Sequence, residues 1–284
     1  MFELELENEN ANVVDINDGV NYVVLSVSGL NPPPASIFTS KSPNRKGSRY
    51  NGSTLDERNI VIAVKILGDV EANRNALYEW TDTEQYCKVR YRNGVKNVYC
   101  EGHVQQCEID FFTDSEVVDI AILCENPYWK DLYEISKEIS ALLKQFTFPF
   151  AIDAEGIPFS TVKESNETNI YNDGAEAGMK ITLKVLGEVS NITLYDARDT
   201  TRTFKINTTL QKDWIVVIDT EASPKTCRVY KPDGTEENFL KYVGINPTWF
   251  TLKKGNNYFG YRVGTGEVDS IEMSIGYTNH YLGV

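Results

Sequence analysis

Few residues in this sequence are of the types that carry out chemistry. Two of its 284 residues are histidines, and one of them lies among cysteines. Cys100, His103 and Cys107 follow one another at spacings of three and four residues, and Cys87 could supply a fourth metal ligand. Residues at odd separation on a strand face opposite sides, so Cys100 and His103 should diverge unless Gly102 introduces a bulge. The pattern favours buried core cysteines over a zinc site.

Patterns for catalysis or sugar binding are also sparse. His280 is the second histidine, and two histidines give little basis for a catalytic triad. Carboxylate pairs of the glycosidase kind cannot be located among 41 acidic residues, so a glycoside hydrolase is the least favoured function. Trp214, Trp249 and Tyr258 could form an aromatic platform for sugar, but packing in a core is the favoured interpretation. Walker-type and GxGxxG phosphate loops are also absent from the sequence. Because residue patterns for catalysis are so sparse, we predict no enzyme activity, no catalytic or metal-binding residue and no cofactor.

The charge of the chain limits the partners that it could have. The formal net charge is −13 at pH 7, which repels phosphate backbones and anionic lipid headgroups. We therefore expect no membrane binding, and DNA near the protein should pass without being bound specifically. Five cysteines, an odd number without a CxxC pair, indicate free thiols from a reducing cytoplasm.

Short runs of alternating apolar and polar residues predict strands along the first half of the chain. The segment Met1–Asn12 alternates acidic and apolar residues and is predicted as a strand, not a signal peptide. Six further runs have the same period: Tyr22–Ser28, Ile60–Leu67, Tyr86–Tyr91, Asn97–Glu101, Gln106–Phe112 and Asp119–Cys124.

Two helices are predicted among these strands. Asp69 can cap a helix over Val70–Trp80, in which apolar residues recur at near-helical spacing. A second helix is predicted over Trp129–Gln145, where leucine and isoleucine recur every three or four residues. The first half is therefore predicted as an α+β domain.

The second half has the pattern of an all-β domain. Eight runs predict strands: Lys180–Leu186, Asn191–Asp196, Thr203–Asn207, Trp214–Asp219, Thr226–Tyr230, Trp249–Leu252, Asn257–Arg262 and Ser270–Tyr277. So many short strands between turn-forming residues favour a two-sheet sandwich or jelly roll. Because Phe148 opens the new series, we predict two domains, residues 1–148 and 149–284.

The segment from Pro32 to Arg58 interrupts the strand pattern and is predicted as a long loop. Residues 41–58 contain five basic and two acidic residues, a local charge of +3 in an acidic chain. Such a segment suits contact with an acidic neighbouring surface, although a solvated loop explains it equally well. The candidate interface residues are Lys41, Arg45, Lys46 and Arg49.

Several phrases resemble, in the same order, the siphophage tail-component or distal tail proteins. The first is a strand that ends near Gly68-Asp69 and leads into a short helix. The others are Glu108–Phe111, Ile122–Trp129, the F-P-F of Phe148–Phe150, Ile170–Gly174, the I-D-T of Ile218–Thr220 and Trp249–Asn257. Each phrase is short, but their shared order over nearly the whole chain makes the resemblance specific.

The resemblance implies a mainly β protein with a structural role. Its N-terminal domain, a sandwich or barrel-like α+β fold with a helix, would close into a ring, generally of six copies, around the DNA channel. Its C-terminal domain would be a galectin-like β-sandwich, or jelly roll, on the outside of the ring. Such a hub would be made in the bacterial cytoplasm and act in the virion, at the tail tip.

The partners implied by the resemblance are other tail proteins. They are further copies of the chain, the tail tube protein, the tape measure protein, and a tail-associated, tail-fibre or receptor-binding protein of the baseplate. DNA would pass through the ring without specific binding. The alternative interpretation is a carbohydrate-binding module that acts at the host cell surface through its C-terminal β-sandwich.

Overall fold

The structure is a computed structural model that describes residues 2–43, 46–109, 116–140, 142–144, 160–162 and 167–284. The chain divides into two compact units. Unit 1 contains residues 1–132 and 280–284, and unit 2 contains residues 133–279. Strands predominate in both units, which confirms the predicted mainly β fold.

Unit 1 is built on a nine-stranded antiparallel sheet. The strands of unit 1 are β1 (Glu3–Asn8), β2 (Val13–Asp15), β3 (Tyr22–Ser28), β4 (Ala35–Ser40), β5 (Arg49–Leu55), β6 (Arg58–Ile66), β7 (Tyr86–Arg92), β8 (Asn97–Ile109), β9 (Val117–Cys124), β10 (Trp129–Asp131) and, after unit 2, β23 (His280–Tyr281). In the large sheet the order is β2-β1-β7-β8-β9-β6-β3, and β10 pairs with both β8 and β23. β4 and β5 form a separate two-stranded sheet.

Period-two alternation explains how this sheet forms its core. Along β6 the side chains of Ile60, Ile62, Val64 and Ile66 are buried at every second position. Successive side chains of a strand point to opposite faces, so β6 presents one apolar face to the core. The same alternation in β7 and β8 adds further buried residues from neighbouring strands.

A short helix, α1 (Val70–Tyr78), follows β6 and confirms the helix predicted after Asp69. The Asp69 carboxylate accepts a hydrogen bond from the Ala72 N–H at 3.2 Å and caps the N-terminus of α1. Leu77 of α1 is fully buried in the core of unit 1. Val70 at the start of α1 also packs against this core, so the helix is held by its cap and by apolar contacts at both of its ends.

Unit 2 is a sandwich of two antiparallel sheets. Its strands are β11 (Ile135–Ser140), β12 (Leu142–Lys144), β13 (Ser160–Val162), β14 (Glu167–Asn172), β15 (Lys180–Val185), β16 (Val189–Asp196), β17 (Asp199–Leu210), β18 (Ile215–Asp219), β19 (Thr226–Tyr230), β20 (Glu236–Asn238), β21 (Gly255–Arg262) and β22 (Ile271–Tyr277). One sheet has the order β11-β22-β15-β18-β19-β20 and the other β14-β21-β16-β17, while β12 and β13 pair with each other. Residues from both larger sheets, such as Leu183 and Leu194, share one buried core.

The predicted helix over Trp129–Gln145 is wrong, because its described residues form strands β10, β11 and β12. The spacing of leucine and isoleucine coincided with a helical period. However, Ile135–Ser140 also fits an extended strand, and Ile135 pairs with Tyr277 of β22. Long-range pairing with β22 outweighs the local helical pattern.

The division into units also differs from the predicted domains of 1–148 and 149–284. Phe148 lies outside the described residues, and the two units part between Leu132 and Tyr133. Residues 133–140 join unit 2 because β11 pairs with β22, and residues 280–284 join unit 1 because β23 pairs with β10. Unit 2 is therefore inserted into unit 1.

Three smaller predictions are corrected by the observed strands. The predicted loop between Pro32 and Arg58 contains the hairpin of β4 and β5. The two runs Asn97–Glu101 and Gln106–Phe112 are parts of one strand, β8, as far as Ile109, and residues 110–112 lie outside the described range. Trp249–Leu252 is not a strand, and it contributes one isolated bridge to Ala177.

Candidate interaction arm

The hairpin of β4 and β5, residues 35–55, stands apart from the large sheet of unit 1 and is called the arm below. Its strands pair from Ala35 opposite Leu55 to Ser40 opposite Arg49. All six residues of β4 are exposed, and so are six of the seven residues of β5. A two-stranded ribbon that buries no apolar face is at best marginally stable in water. A partner surface would therefore stabilise the arm.

The arm exposes apolar side chains. Ile37 is 64% exposed, Tyr50 62%, Phe38 54% and Leu55 37%. Leu55 and Tyr50 pair with the residues two positions before and after Ile37, so these three side chains lie on one face of the ribbon. Phe38 lies on the other face. Grouped exposed apolar side chains are typical of protein-interaction surfaces.

Basic side chains gather at the tip of the arm. Lys41 follows β4, Lys46 lies in the connection, and Arg49 opens β5; all three are exposed. The structure therefore brings three of the four predicted interface residues to one end of the hairpin, and Arg45 lies outside the described residues. Arg58, which contributed to the predicted basic segment, is 1% exposed and is not part of this surface.

The root of the arm is held by Arg58. Its Nη1 donates hydrogen bonds to the carbonyl oxygens of Gly29 and Asn31, the second at 2.7 Å. Its Nε donates to the carbonyl oxygen of Pro127 at 2.8 Å, and its Nη2 donates to that of Leu282 at 2.7 Å. Gly29 and Asn31 precede the arm and Arg58 follows it. One side chain therefore fixes both ends of the arm to the body of unit 1.

Four carbonyl groups, not a carboxylate, stabilise the buried guanidinium. The Arg58 guanidinium carbon lies 5.5 Å from the centroid of the Trp129 ring. Burial lowers the pKa of Arg58, and the neighbouring thiols of Cys100 and Cys124 oppose this effect. A buried cation has to be compensated by acceptors, and the carbonyl oxygens supply that compensation. Sequence reasoning assigned Arg58 to the loop because it had no signal for these long-range acceptors.

The residues of the candidate metal site are not brought together. Cys87 and Cys100 are buried in unit 1, whereas His103 is exposed and its Nδ1 lies 2.9 Å from the Glu125 carboxylate. Cys107 is partly buried. Across the residues that the structure describes, no group of three or more His, Cys, Asp or Glu side chains could hold a metal ion.

The cysteine thiols are free, as predicted. Burial raises the pKa of Cys87 to about 12, and a nearby glutamate carboxylate adds to the effect. Burial also raises the pKa of Cys227 to about 12. Thiols with such raised pKa values are poor nucleophiles and poor metal ligands at neutral pH.

The three candidate sugar-binding aromatics do not form a shared platform. Trp214 and Trp249 pack against the core of unit 2, and the Trp249 ring centroid lies 5.1 Å from that of Phe204. The Arg198 guanidinium covers the ring of Tyr258, with its carbon 4.4 Å from the centroid. Packing in a core, the favoured interpretation, is thus confirmed for both tryptophans.

Within the described ranges, no helix is long and apolar enough to cross a membrane. The α-helix α1 has nine residues.

The two-unit, mainly β fold places the chain in a class of folds found in phage adsorption and baseplate proteins. The crystal structure of Dit from phage SPP1, described as a paradigm of the hub adsorption apparatus in phages that infect Gram-positive bacteria, is similar with a TM-score of 0.70. The similarity covers 98% of this chain and 99% of that chain at 11% sequence identity.

Chains of two baseplate structures have the same fold. They come from the phage P2 baseplate in its activated conformation with Ca, with a TM-score of 0.56 at 11% identity, and from the phage p2 baseplate with Sr, with a TM-score of 0.55 at 10% identity. Both similarities cover 100% of each chain. No protein-family model and no curated protein sequence matches the chain.

Proposed function

We propose that this protein is a structural, non-enzymatic hub at the distal end of a long non-contractile phage tail. It would link the tail tube to the baseplate, tail-fibre or receptor-binding apparatus and act in the virion at the tail tip. Two lines of support agree. The fold is shared over 98% of the chain with SPP1 Dit, and the ordered sequence phrases resemble distal tail proteins.

The observation that carries the assembly role is the arm. Its apolar side chains are exposed, its tip is basic, and its root is fixed by Arg58. A ring is made of head-to-tail contacts, which need two complementary patches on each copy. We therefore propose that the arm of one copy docks on the next copy in the ring, with six copies as the expected number, or on the tail tube protein.

Charge supports a second copy as the partner of the arm. Unit 1 contains 12 basic and 21 acidic residues, and three of the basic residues, Lys41, Lys46 and Arg49, belong to the tip of the arm. The rest of unit 1 is therefore strongly acidic, which complements a basic tip on a neighbouring copy. An acidic channel would also let DNA pass, because no counterion release would favour binding.

Charge reversal at the tip tests this proposal. The variant combines Lys41→Glu, Arg45→Glu, Lys46→Glu and Arg49→Glu. We expect light scattering to show a lower mass than for the unchanged chain at the same concentration, approaching the 32.1 kDa of one protomer. The matched control makes the same charge change at exposed lysines of unit 2, with Lys180→Glu, Lys205→Glu, Lys212→Glu and Lys225→Glu.

Two results would contradict the proposal. A charge-reversed arm that leaves the ring unchanged would show that the tip is not part of the contact. An unchanged chain that stays at 32.1 kDa at every concentration would contradict ring formation by this chain alone. Negative-stain images of the purified protein would show directly whether a ring forms and how many copies it has.

The alternative, a carbohydrate-binding module, lacks the aromatic platform on which it was based. A glycan array still separates the two functions, because a pure hub should show no saccharide-specific binding.

A further inference from the structure

Unit 2 contains a pocket of about 240 Å³ at one end of its four-stranded sheet. The turn between β16 and β17 and the residues that lead into β21 form its walls. Four basic side chains line the pocket: Arg198, Arg202, Lys253 and Lys254. Asp196 is the carboxylate among the lining residues. The pocket therefore carries a local charge of +3 in an acidic protein.

Among the residues that the structure describes, three of the four cations have no carboxylate partner. Arg202 donates a hydrogen bond from Nη1 to the Asp196 carboxylate at 2.9 Å, so this pair is neutral. In the described part of the chain, Arg198, Lys253 and Lys254 form no ion pair. Unit 2 as a whole contains 16 basic and 20 acidic residues, so the pocket reverses the sign of its surroundings. Like charges repel, and a bound anion would remove that repulsion.

Neighbouring side chains contact Arg198 and fix the backbone of the loop that carries the two lysines. The Arg198 guanidinium is stacked on Tyr258, which leaves its N–H edge available to an acceptor. The Asn257 side chain closes the loop that carries both lysines: its Oδ1 accepts the Lys253 N–H at 2.9 Å. Its Nδ2 donates to the carbonyl oxygens of Lys253 at 2.7 Å and Gly255 at 2.9 Å. The backbone of the loop is therefore fixed before a ligand binds, and the exposed side chains of Lys253 and Lys254 extend from it.

Charge and size restrict the ligand. A phosphate monoester carries about −1.5 to −2 at pH 7 and matches three cations better than one carboxylate does. The pocket is smaller than the roughly 300–1,000 Å³ of sites for larger ligands, so it suits one phosphate and the small unit that bears it. A long polyanion would meet the acidic surface of unit 2 outside the pocket. The ligand is therefore compact.

We propose that this pocket binds the phosphate group of a compact phosphate monoester. Arg198 contacts the phosphate through its guanidinium edge, and Lys253 and Lys254 contact it as point charges. This inference does not depend on the hub function, because no residue of the arm takes part.

Isothermal titration calorimetry of the full chain tests the proposal with defined probes. Glucose 1-phosphate and inorganic phosphate should bind, and glucose should not. The variant Lys253→Gln/Lys254→Gln should weaken glucose 1-phosphate binding at least about tenfold, because two charge-assisted contacts are lost. Arg198→Lys should weaken it several-fold, since the charge remains but the planar fork is lost. The control Lys212→Gln/Lys225→Gln removes two exposed charges elsewhere in unit 2 and should bind like the unchanged chain.

Each other result overturns the proposal in a distinct way. Dissociation constants above about 10 mM for both glucose 1-phosphate and inorganic phosphate would show that no phosphate site exists. Equal losses in the pocket variant and the control would indicate general charge attraction. Tighter binding of hexaglutamate would identify a docking site for an acidic protein segment, and tighter binding of a short thymidine oligonucleotide would identify a nucleic-acid site. All variants should keep the oligomer mass of the unchanged chain, which separates this test from that of the arm.

Discussion

Replacing Arg58 by alanine should destabilise unit 1 more than most single substitutions. The change removes four hydrogen bonds to backbone carbonyl groups and a buried side chain that packs against Trp129. A hydrogen bond from a charged donor contributes roughly 1.5–3 kcal/mol, but contributions within one network do not add fully. Each carbonyl group that loses its donor where water cannot replace it costs roughly 1–3 kcal/mol. We therefore expect the free energy of unfolding to fall by about 4 kcal/mol.

The variant Arg58→Lys tests whether the positive charge alone stabilises unit 1, or whether the planar arrangement of the guanidinium donors is also needed. Lysine keeps a positive charge, but its ammonium has three donors around one point, whereas the guanidinium spreads five donors over a plane. Three donors at one point cannot reach four separated carbonyl oxygens, so at least one carbonyl group loses its hydrogen bond from residue 58. We expect a loss of about 2 kcal/mol, between the unchanged chain and Arg58→Ala.

Urea unfolding followed by tryptophan fluorescence measures both losses. Trp80 and Trp129 lie in unit 1, and Trp214 and Trp249 lie in unit 2. The loss should appear in the transition of unit 1. Hydrogen exchange should in addition become faster across β4 and β5, because the root of the arm is released.

An exposed lysine provides the control. Lys212→Ala should change stability by less than about 0.5 kcal/mol, as surface substitutions usually do. If Arg58→Ala lost less than about 1 kcal/mol, the four hydrogen bonds would not stabilise the fold as argued. If Arg58→Lys matched the unchanged chain, charge alone would explain the role of this residue.

Three further predictions concern unit 1 and the buried thiols. Gly29→Ala places a Cβ 2.4 Å from the Asn59 carbonyl oxygen at a φ of +86°, and urea unfolding should show a loss of about 2–3 kcal/mol. The raised pKa values of Cys87 and Cys227 predict that iodoacetamide at pH 8 modifies them in urea but not in the folded protein, as counted by mass spectrometry. Their stabilising effect should be lost as pH rises above the unfolded-state pKa near 8.5. Burial raises the pKa of Asp18, but backbone hydrogen bonds outweigh this and lower it, so Asp18→Ala should reduce the urea midpoint more at pH 7 than at pH 3.

The strands that were predicted correctly from the sequence bury the side chains of one face and expose those of the other. Tyr22–Ser28 and Thr226–Tyr230 were predicted with the observed bounds. The arm could not be found in this way, because both of its faces are exposed and no alternation of burial is imposed on Ala35–Ser40. The basic residues of the arm could be recognised from its composition. The pairing of β4 with β5, which brings Lys41 and Arg49 to one tip, could not.

Long-range contacts explain the remaining differences. The pairing of Trp129 with Tyr281 joins residues 152 positions apart, and no local pattern encodes it. The acceptors of Arg58 come from three separate parts of the chain for the same reason. The phosphate pocket also had no local signal, because Arg198 and Lys253 lie in two loops that only the fold of unit 2 brings together.

Unit 2 is inserted into unit 1 as one continuous segment, so a single replacement in the chain would exchange the whole unit. The chain leaves unit 1 after Leu132 and re-enters it at His280. His280 is the direct partner of Lys130 on the neighbouring strand β10. Insertions are best tolerated where their two ends lie close together at a surface. Recombination could therefore replace residues 133–279 by a different module while the arm and its Arg58 anchor stay unchanged. A lineage could in this way change unit 2 without altering the contacts within unit 1.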